Sequence, residues 1–414
     1  MRTCALIHPL HAERETAHPE KAQEMEVALL TAGRDPHYAF GVAQALVSLQ
    51  VQVDLIGGDA LNCPEWKATT LVHFKNLKGD AREEAGLLRK VIRIFRYYAK
   101  LVWYAMVSKP TIFHILWNNK FETVDRVALM LLYKLLGKKV VLTVHNVNAK
   151  TRDLNDSAFN RLTLRIQYRL TDHLFVHTEL MKKELEEGFG VPPRIITVIP
   201  FGINNAVPAT SLTSVEARQK LGIAESEKVL LFYGHIAPYK GMEFLLAAFE
   251  QIVTKCGNYR LIIAGKPKNC EAYWRGLQKM MNGDAIGGKI LQKIEHISDE
   301  ETEIYFKAAD ALVLPYRHIY QSGVLFLGYN FGLPVIATDV GALREDIVEG
   351  ETGFICKSGD PFDLARAIET YFLSDLFKTL ISRRLEIKNY ACERHSWDTV
   401  GKLTEHVYRK VLGG

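Results

Sequence analysis

IYQSGVLFLGYNFGLPVIATDVGALRE, residues 319–345, joins a polar turn, a short apolar helix and a buried strand in one unit. Ser322, Gly323 and Val324 stand at the start of the helix, where free backbone N–H groups and the positive end of the helix dipole attract a phosphate. Gly332 and Pro334 end that helix. The β-branched run Val335 to Thr338 reads as a strand buried on both faces, and Asp339, Gly341 and Glu345 follow at its carboxyl end, the edge where open α/β sheets hold ligands. The unit predicts a phosphate-bearing substrate.

Outward from this unit, strand-like and helix-like runs alternate, which is the requirement of a parallel sheet with crossover helices. MEVALLTAG, VQVDLIGG, TTLVHF, TIFHILW, KVVLTVHNV, HLFVHT and IITVIPFG make one Rossmann-like set; KVLLFYGHI, YRLIIAG, KIEHI, ALVLPY, the opening unit and TGFICK make a second. The fold class is therefore α/β, two doubly wound domains facing a cleft at the carboxyl ends of their sheets. NNAVPATSLTSVEARQK reads as the linker with a short helix after it. The expected division is an extension over 1–24, a first domain over 25–205, a second over 206–385, and helices over 386–414 that pack back on the first domain.

The bulk properties agree with this. At 414 residues the chain exceeds the size at which single cores usually split. A composition of 24% charged and 48% hydrophobic residues is globular, and a net charge of +5 gives no reason to invoke nucleic acid. Cys4, Cys63, Cys256, Cys270, Cys356 and Cys392 lie far apart with no C-x-x-C pair, which points to a reducing cytosol without a disulfide framework or zinc knuckle. Residues 1–24 carry many charges and no long apolar core, unlike a secretory signal or a membrane span.

In GHIAPYKG, Lys240 follows a buried strand and precedes a helix, well placed as a point charge for phosphate, while Gly234 and Gly241 allow close backbone approach. A single lysine is more often a solvated surface group. Here Lys240 and the Ser322/Gly323 turn are expected on the same sheet edge, and two anion-binding devices on one edge suit a diphosphate.

AGRDPHYAFG, LTVHNV, VIPFGIN, GHIAPYKG, AADALVLPY, GLPVIATDVGALRE and EGETGFI occur in this order. The chain from Met25 onward resembles the bacterial glycosyltransferases of family 4, the group 1 retaining enzymes of GT-B fold. The resemblance implies sugar transfer from a nucleotide-diphosphate donor to a glycan or lipid-linked acceptor, with retention, no bound metal and no cofactor beyond the nucleotide-sugar co-substrate. Lys240 resembles the family's donor-diphosphate lysine, and His235 stands where an arginine is usual. An imidazole there makes phosphate binding weaker or pH-dependent, unless His235 merely packs. His145 in LTVHNV matches a histidine near the donor sugar and the reacting centre, able to bond a hydroxyl or a developing charge without being a general base. His114, His173 and His177 read as core histidines. Gly33, Asp35 and His37 fall in the family's acceptor loop, or in an ordinary turn. The base is expected near Gly265, Lys266, Glu295, His296 and Ile297.

The opening unit departs from the family, which carries two glutamates with seven residues between them, one toward the donor sugar and one on the ribose. Counting back from Gly332, the second falls at Leu327 or Gly328, and the first near Ile319 or, with a shortened loop, Gln321. A glutamine can still bond a sugar hydroxyl; leucine and glycine cannot hold ribose. Gln321 and Glu345 are the expected donor-sugar contacts.

In LLRKVIRIFRYYAKLVWYAMV, residues 87–107, Arg89, Arg93, Arg96 and Lys100 run beside a stripe of Leu88, Ile92, Phe95, Ala99 and Val102. Either the stripe enters the core, or the helix lies on an anionic membrane surface, which implies a cytoplasmic protein peripheral on the inner face and a lipid-linked acceptor. Two other functions compete. A non-catalytic protein binding nucleotide-sugar or partners in a polysaccharide assembly complex is favoured by the missing glutamates; a dinucleotide oxidoreductase is disfavoured because no G-x-G-x-x-G follows the first strand.

Overall fold

The computed structural model describes residues 25–79, 87–152, 155–203, 207, 209–268 and 270–413. The expected extension over 1–24 lies outside them, as do the side chains of Leu88 and Arg89. The chain forms two compact units, residues 1–202 with 396–414, and residues 203–395. The helix Leu380–Arg394 thus belongs to the second unit, and from the expected terminal segment only the helix Trp397–Gly413 belongs to the first.

The first unit holds a seven-stranded sheet in the order β3-β2-β1-β4-β5-β6-β7. Its strands are β1 Glu26–Leu30, β2 Gln52–Gly57, β3 Val72–Asn76, β4 Ile112–Ile115, β5 Lys139–Thr143, β6 His173–Val176 and β7 Ile196–Val198. Every ladder is parallel, and β4 and β6 are buried throughout because helices cover both faces. Sequence order reverses between β1 and β4, which opens a crevice at their carboxyl ends. The last helix, Trp397–Gly413, completes this core: Val400, Val407 and Tyr408 are buried in one cluster with Val27, Leu29 and Leu46.

The second unit holds a six-stranded parallel sheet in the order β10-β9-β8-β11-β12-β13. The strands are β8 Lys228–Tyr233, β9 Tyr259–Ala264, β10 Ile290–Lys293, β11 Ala311–Leu314, β12 Val335–Thr338 and β13 Gly353–Cys356. Its switch point lies between β8 and β11. The expected strand KIEHI is displaced: β10 ends at Lys293, where that motif begins, and His296 and Ile297 fall in the following loop.

The helix Leu87–Val107 corrects the expected choice of core stripe. Tyr97, Leu101, Tyr104 and Ala105 are buried, whereas Ile92 and Phe95 of the stripe read from sequence are 52% and 68% exposed. Tyr97 and Tyr104 enter the core because their hydroxyls find partners, Asn119 Oδ1 at 2.7 Å and Asp54 Oδ2 at 2.7 Å. No described helix is long and apolar enough to cross a membrane.

Candidate functional site

At the carboxyl end of β8 the chain makes a tight turn, Pro238–Lys240, before the helix Met242–Lys255. Gly241 joins them at φ +63°, and a Cβ there would stand 2.0 Å from the Pro315 carbonyl oxygen, so only glycine lets the turn press against the end of β11. Lys240 is 6% exposed, with its ammonium 5.3 Å from the Tyr316 ring centre and 6.0 Å from that of Phe232. Aromatic faces hold a cation without neutralising it. A Cβ on Gly234 would lie 3.1 Å from Lys240 Nζ and 3.5 Å from Val324 Cγ2. The lysine and the start of the helix Gly323–Asn330 therefore meet over Gly234.

Ser322 caps that eight-residue helix in extended conformation, yet its side chain accepts no bond from the helix amides. Its hydroxyl lies instead 3.3 Å from the Tyr316 hydroxyl, which burial pushes up to about 12 and so keeps protonated. The amide end and dipole of the helix are left facing the lysine. His235 is exposed and held below the usual imidazole range, first by desolvation and then by Lys268, Lys240, Lys266 and His296. These neighbours form a basic cluster along the carboxyl ends of β8, β9 and β10. The loops after β8 and β9 are tied together: Ile236 N–H donates to the Lys266 carbonyl at 2.9 Å and Lys268 N–H to that of Ile236 at 3.0 Å. Lys266 and His296 are exposed in this cluster, Ile297 is buried beneath it, and Gly265 N–H donates to Lys293. Sequence reasoning missed Lys268, whose only signal was its spacing from Lys266.

On the other side of the turn, Gly341 has φ +58° and a Cβ on it would stand 1.9 Å from the Ile319 carbonyl oxygen. Ala342 N–H donates to the Tyr320 carbonyl at 2.9 Å. The loop after β12 thus lies directly on residues 319–320, and Gln321 bonds the carboxyl of Asp346. Glu345 is exposed, while Asp346 beside it is buried. Leu327 is buried, and a Cβ on Gly328 would meet the Leu312 side chain at 2.9 Å, so both positions counted for the second glutamate face the interior.

In the first unit the loop after β1 carries positive φ at Ala32 (51°), Gly33 (62°) and Asp35 (33°). Such backbone is costly for non-glycine residues and clusters at ligand sites. The Asp35 carboxylate accepts from Tyr38 N–H at 3.1 Å, so it caps the helix Pro36–Ser48, with His37 in that helix's first turn. Gly33 N–H donates to Thr31 Oγ1 at 3.1 Å.

His145, just past β5, stacks on Trp117 with ring centres 4.4 Å apart and planes 5° apart, and meets the edge of Tyr38 at 4.9 Å. Its Nδ1 lies 3.2 Å from His177 Nε2. Burial, helped by His177 and His114, holds His145 well below the usual range, so it is a neutral imidazole. Sequence reasoning left His177 in the core; the structure places it against His145, with Trp117 and Tyr38, whose aromatic character was the available signal. His114 and His173 are core groups. His114 bonds the Tyr408 hydroxyl at 2.6 Å and Thr143 Oγ1 at 2.8 Å, and is pushed down to about 3 by burial. His173 bonds Thr197 Oγ1 at 2.9 Å. A cavity of about 190 Å³ opens beside His145 at the ends of β4 and β5, lined among others by Arg34, Trp117, Asn118, Glu122 and Thr143.

Residues 37–207 match the family model Glycosyltransferase Family 4, and residues 227–373 match Glycosyl transferases group 1. Among curated proteins, the D-inositol 3-phosphate glycosyltransferase of Corynebacterium urealyticum is 26% identical over 252 residues, 58% of this chain and 57% of the relative. That of Geodermatophilus obscurus is 29% identical over 238 residues, 55% of this chain and 50% of the relative. The chain thus spans about half the length of the curated relatives it matches. Among solved structures, Anabaena HepE in complex with UDP and glucose superposes with TM-score 0.71 at 17% identity, covering 94% of this chain and 100% of that one. Sucrose-phosphate synthase from Thermosynechococcus elongatus gives TM-score 0.70 at 17% identity, covering 94% and 99%. The two parallel sheets and their strand orders are those of the GT-B fold, and the chain belongs to the group 1, family 4 glycosyltransferases.

Proposed function

We propose that this chain transfers a sugar from a nucleotide-diphosphate donor to a glycan or lipid-linked acceptor, with retention and without a bound metal, in the cytoplasm at the inner face of a membrane during polysaccharide assembly. The observation that carries the reading is the meeting of buried Lys240 with the start of the helix Gly323–Asn330 over Gly234, inside a basic cluster of His235, Lys266, Lys268 and His296. A diphosphate seated there accepts N–H bonds from Gly323 and Val324 and faces the Lys240 ammonium. As the bond to the sugar breaks, negative charge grows on the leaving diphosphate, and these groups stabilise it where a metal otherwise would. His145 acts as a neutral hydrogen-bonding group at the sugar, Gln321 and Glu345 contact the sugar from the other side of the turn, and Gly265, Lys266, His296 and Ile297 border the base. Gly33, Asp35 and His37 shape the acceptor region, with Asp35 acting through its cap. The complex of Anabaena HepE, a protein of the same fold, with UDP and glucose is in keeping with a nucleoside-diphosphate donor.

Lys240→Ala lowers turnover by at least ~100-fold, the scale of losing one preorganised electrostatic group. Near-normal turnover in that variant overturns the assignment, and so does a loss of turnover with a metal chelator. A second reading, a non-catalytic nucleotide-sugar binder, has one observation in its favour: Leu327 and Gly328, where the family's ribose glutamate falls, face the interior. Release of free nucleoside diphosphate from a nucleotide-sugar separates the two, since a binder releases none.

A further inference from the structure

The family's pattern places a carboxylate at the donor sugar, and position 321 holds a glutamine. Behind that glutamine the structure supplies a carboxyl from another loop. Asp346 closes the short helix Leu343–Asp346 after β12, is 6% exposed, and has Oδ2 buried without a hydrogen-bond partner among the described residues. Its Oδ1 lies 3.6 Å from His395 Nε2, and the His395 ring packs on Phe326 with centres 4.2 Å apart. The Gln321 amide bonds the same carboxyl, while Gln321 Oε1 is buried with no partner among the described residues. A buried acceptor left without a donor is costly, and such orphans call for an explanation.

We propose that Asp346 is a positioning residue: it takes the N–H of the Gln321 amide and thereby presents Oε1 to a hydroxyl of the donor sugar, so that the pair does jointly what a single carboxylate does in the family pattern. The proposal rests on the donor reading of the Ser322/Gly323 turn. Gln321 directly precedes that turn, and the contact of Gly341 with Ile319 fixes the distance between the two loops. The charged and titratable groups around Asp346 are Arg394, Glu345, His395 and Tyr329, whose hydroxyl donates to the Asp346 carbonyl at 3.0 Å. Burial outweighs Arg394 and raises the carboxyl to about 7, so the form that accepts from Gln321 most strongly is populated above neutrality.

The test uses the full chain and two probes, the nucleoside diphosphate and the nucleotide-sugar that give the largest thermal shift in a panel of uridine, guanosine and adenosine forms. Asp346→Asn is expected to leave nucleoside diphosphate affinity within about twofold while lowering kcat about 10- to 100-fold, the cost of a mispositioned group. It also flattens the rise of kcat between pH 6 and 8. Gln321→Glu alone, which sets two carboxyls side by side, loses activity; Gln321→Glu with Asp346→Asn regains most of it. Gln321→Leu, which needs no new polar partner, loses nucleotide-sugar turnover but keeps diphosphate affinity. Equal weakening toward both probes, no change toward either, or additive losses in the double variant overturns the proposal. A wild-type chain that binds no nucleoside diphosphate overturns the donor reading as well, and is told apart by the first measurement alone.

Discussion

Asp346 costs the fold stability for as long as it is ionised. In the native state its carboxyl keeps its proton up to about pH 7, against 3.8 for an ordinary aspartate in the unfolded chain. The native state therefore binds the proton more tightly than the unfolded chain, so the stabilising contribution is complete below about pH 4 and is lost progressively as pH rises to about 7. Over that whole range the difference is worth roughly 4 kcal/mol. Asp346→Asn should be more stable than the parent, by a margin that grows between pH 4 and 7 and then stays level. Denaturant unfolding at pH 5 and pH 8 measures it, and a margin that is larger at pH 5 contradicts the assignment. A residue that lowers stability and is nonetheless hydrogen-bonded to Gln321, next to the Ser322/Gly323 turn, fits the general exchange of stability for function. At this scale the sequence was least legible. Glu345 and Asp346 are adjacent acids on one short helix, and only the packing of Phe326 and His395 decides that the second is buried and the first exposed. His145 and Lys240 were legible because each follows a strand whose apolar run is unmistakable. The partners of His145 (Trp117, Tyr38 and His177) come from a helix and from other loops, and sequence spacing carries no information about them.

Elements were legible wherever one period dominated. Of the thirteen strands among the described residues, eleven lie within the runs expected; β3 runs on to Asn76, past the end of TTLVHF, and β10 is displaced because KILQKIEHI offers two overlapping alternations and the ladder with β9 selects the earlier one. The helix Leu87–Val107 failed for a different reason: it carries two apolar stripes, and the one that enters the core is completed by tyrosines. With Tyr97, Leu101, Tyr104 and Ala105 inside, the other stripe is exposed, including Ile92, Phe95, Trp103 (64%) and Met106 (50%), beside exposed Arg96 and Lys100. An exposed aromatic stripe flanked by cations suits the headgroup layer of an anionic membrane. Phe95→Glu with Trp103→Glu should abolish co-sedimentation with vesicles containing phosphatidylglycerol and leave thermal stability within about ±0.5 kcal/mol, as for surface changes. Retained sedimentation in the double variant removes the membrane from the account.

For the whole molecule, the two sheets followed from the alternation of runs, but their strand orders and the ownership of the terminal segment did not. The helix Trp397–Gly413 is amphipathic like any other, and sequence does not say which core it completes. The structure gives it to the first unit through Tyr408, which bonds His114 in the middle of the sheet, and through Trp397. A Cβ on Gly41 or Gly202 would stand 2.2 Å or 2.4 Å from the Trp397 ring, so two glycines of the first unit are the floor on which the indole lies. Deleting residues 397–413 should unfold the first unit and spare the second: hydrogen exchange would accelerate across β1, β4 and β5, with protection retained across β8, β11 and β12. Equal loss in both sheets would refute the assignment of the helix.

That topology also sets a timetable for the nascent chain. Domains ordinarily fold in the order in which they leave the ribosome, the amino-terminal one first. Here the second unit is one continuous segment, residues 203–395, inserted between the body of the first and its last helix. At the usual elongation rates the sheet β1–β7 is complete but unclosed for roughly 10–40 s while the inserted unit is synthesised. During that interval the surface later covered by Val400, Val407 and Tyr408 is bare, and the unit made second is the first able to finish folding.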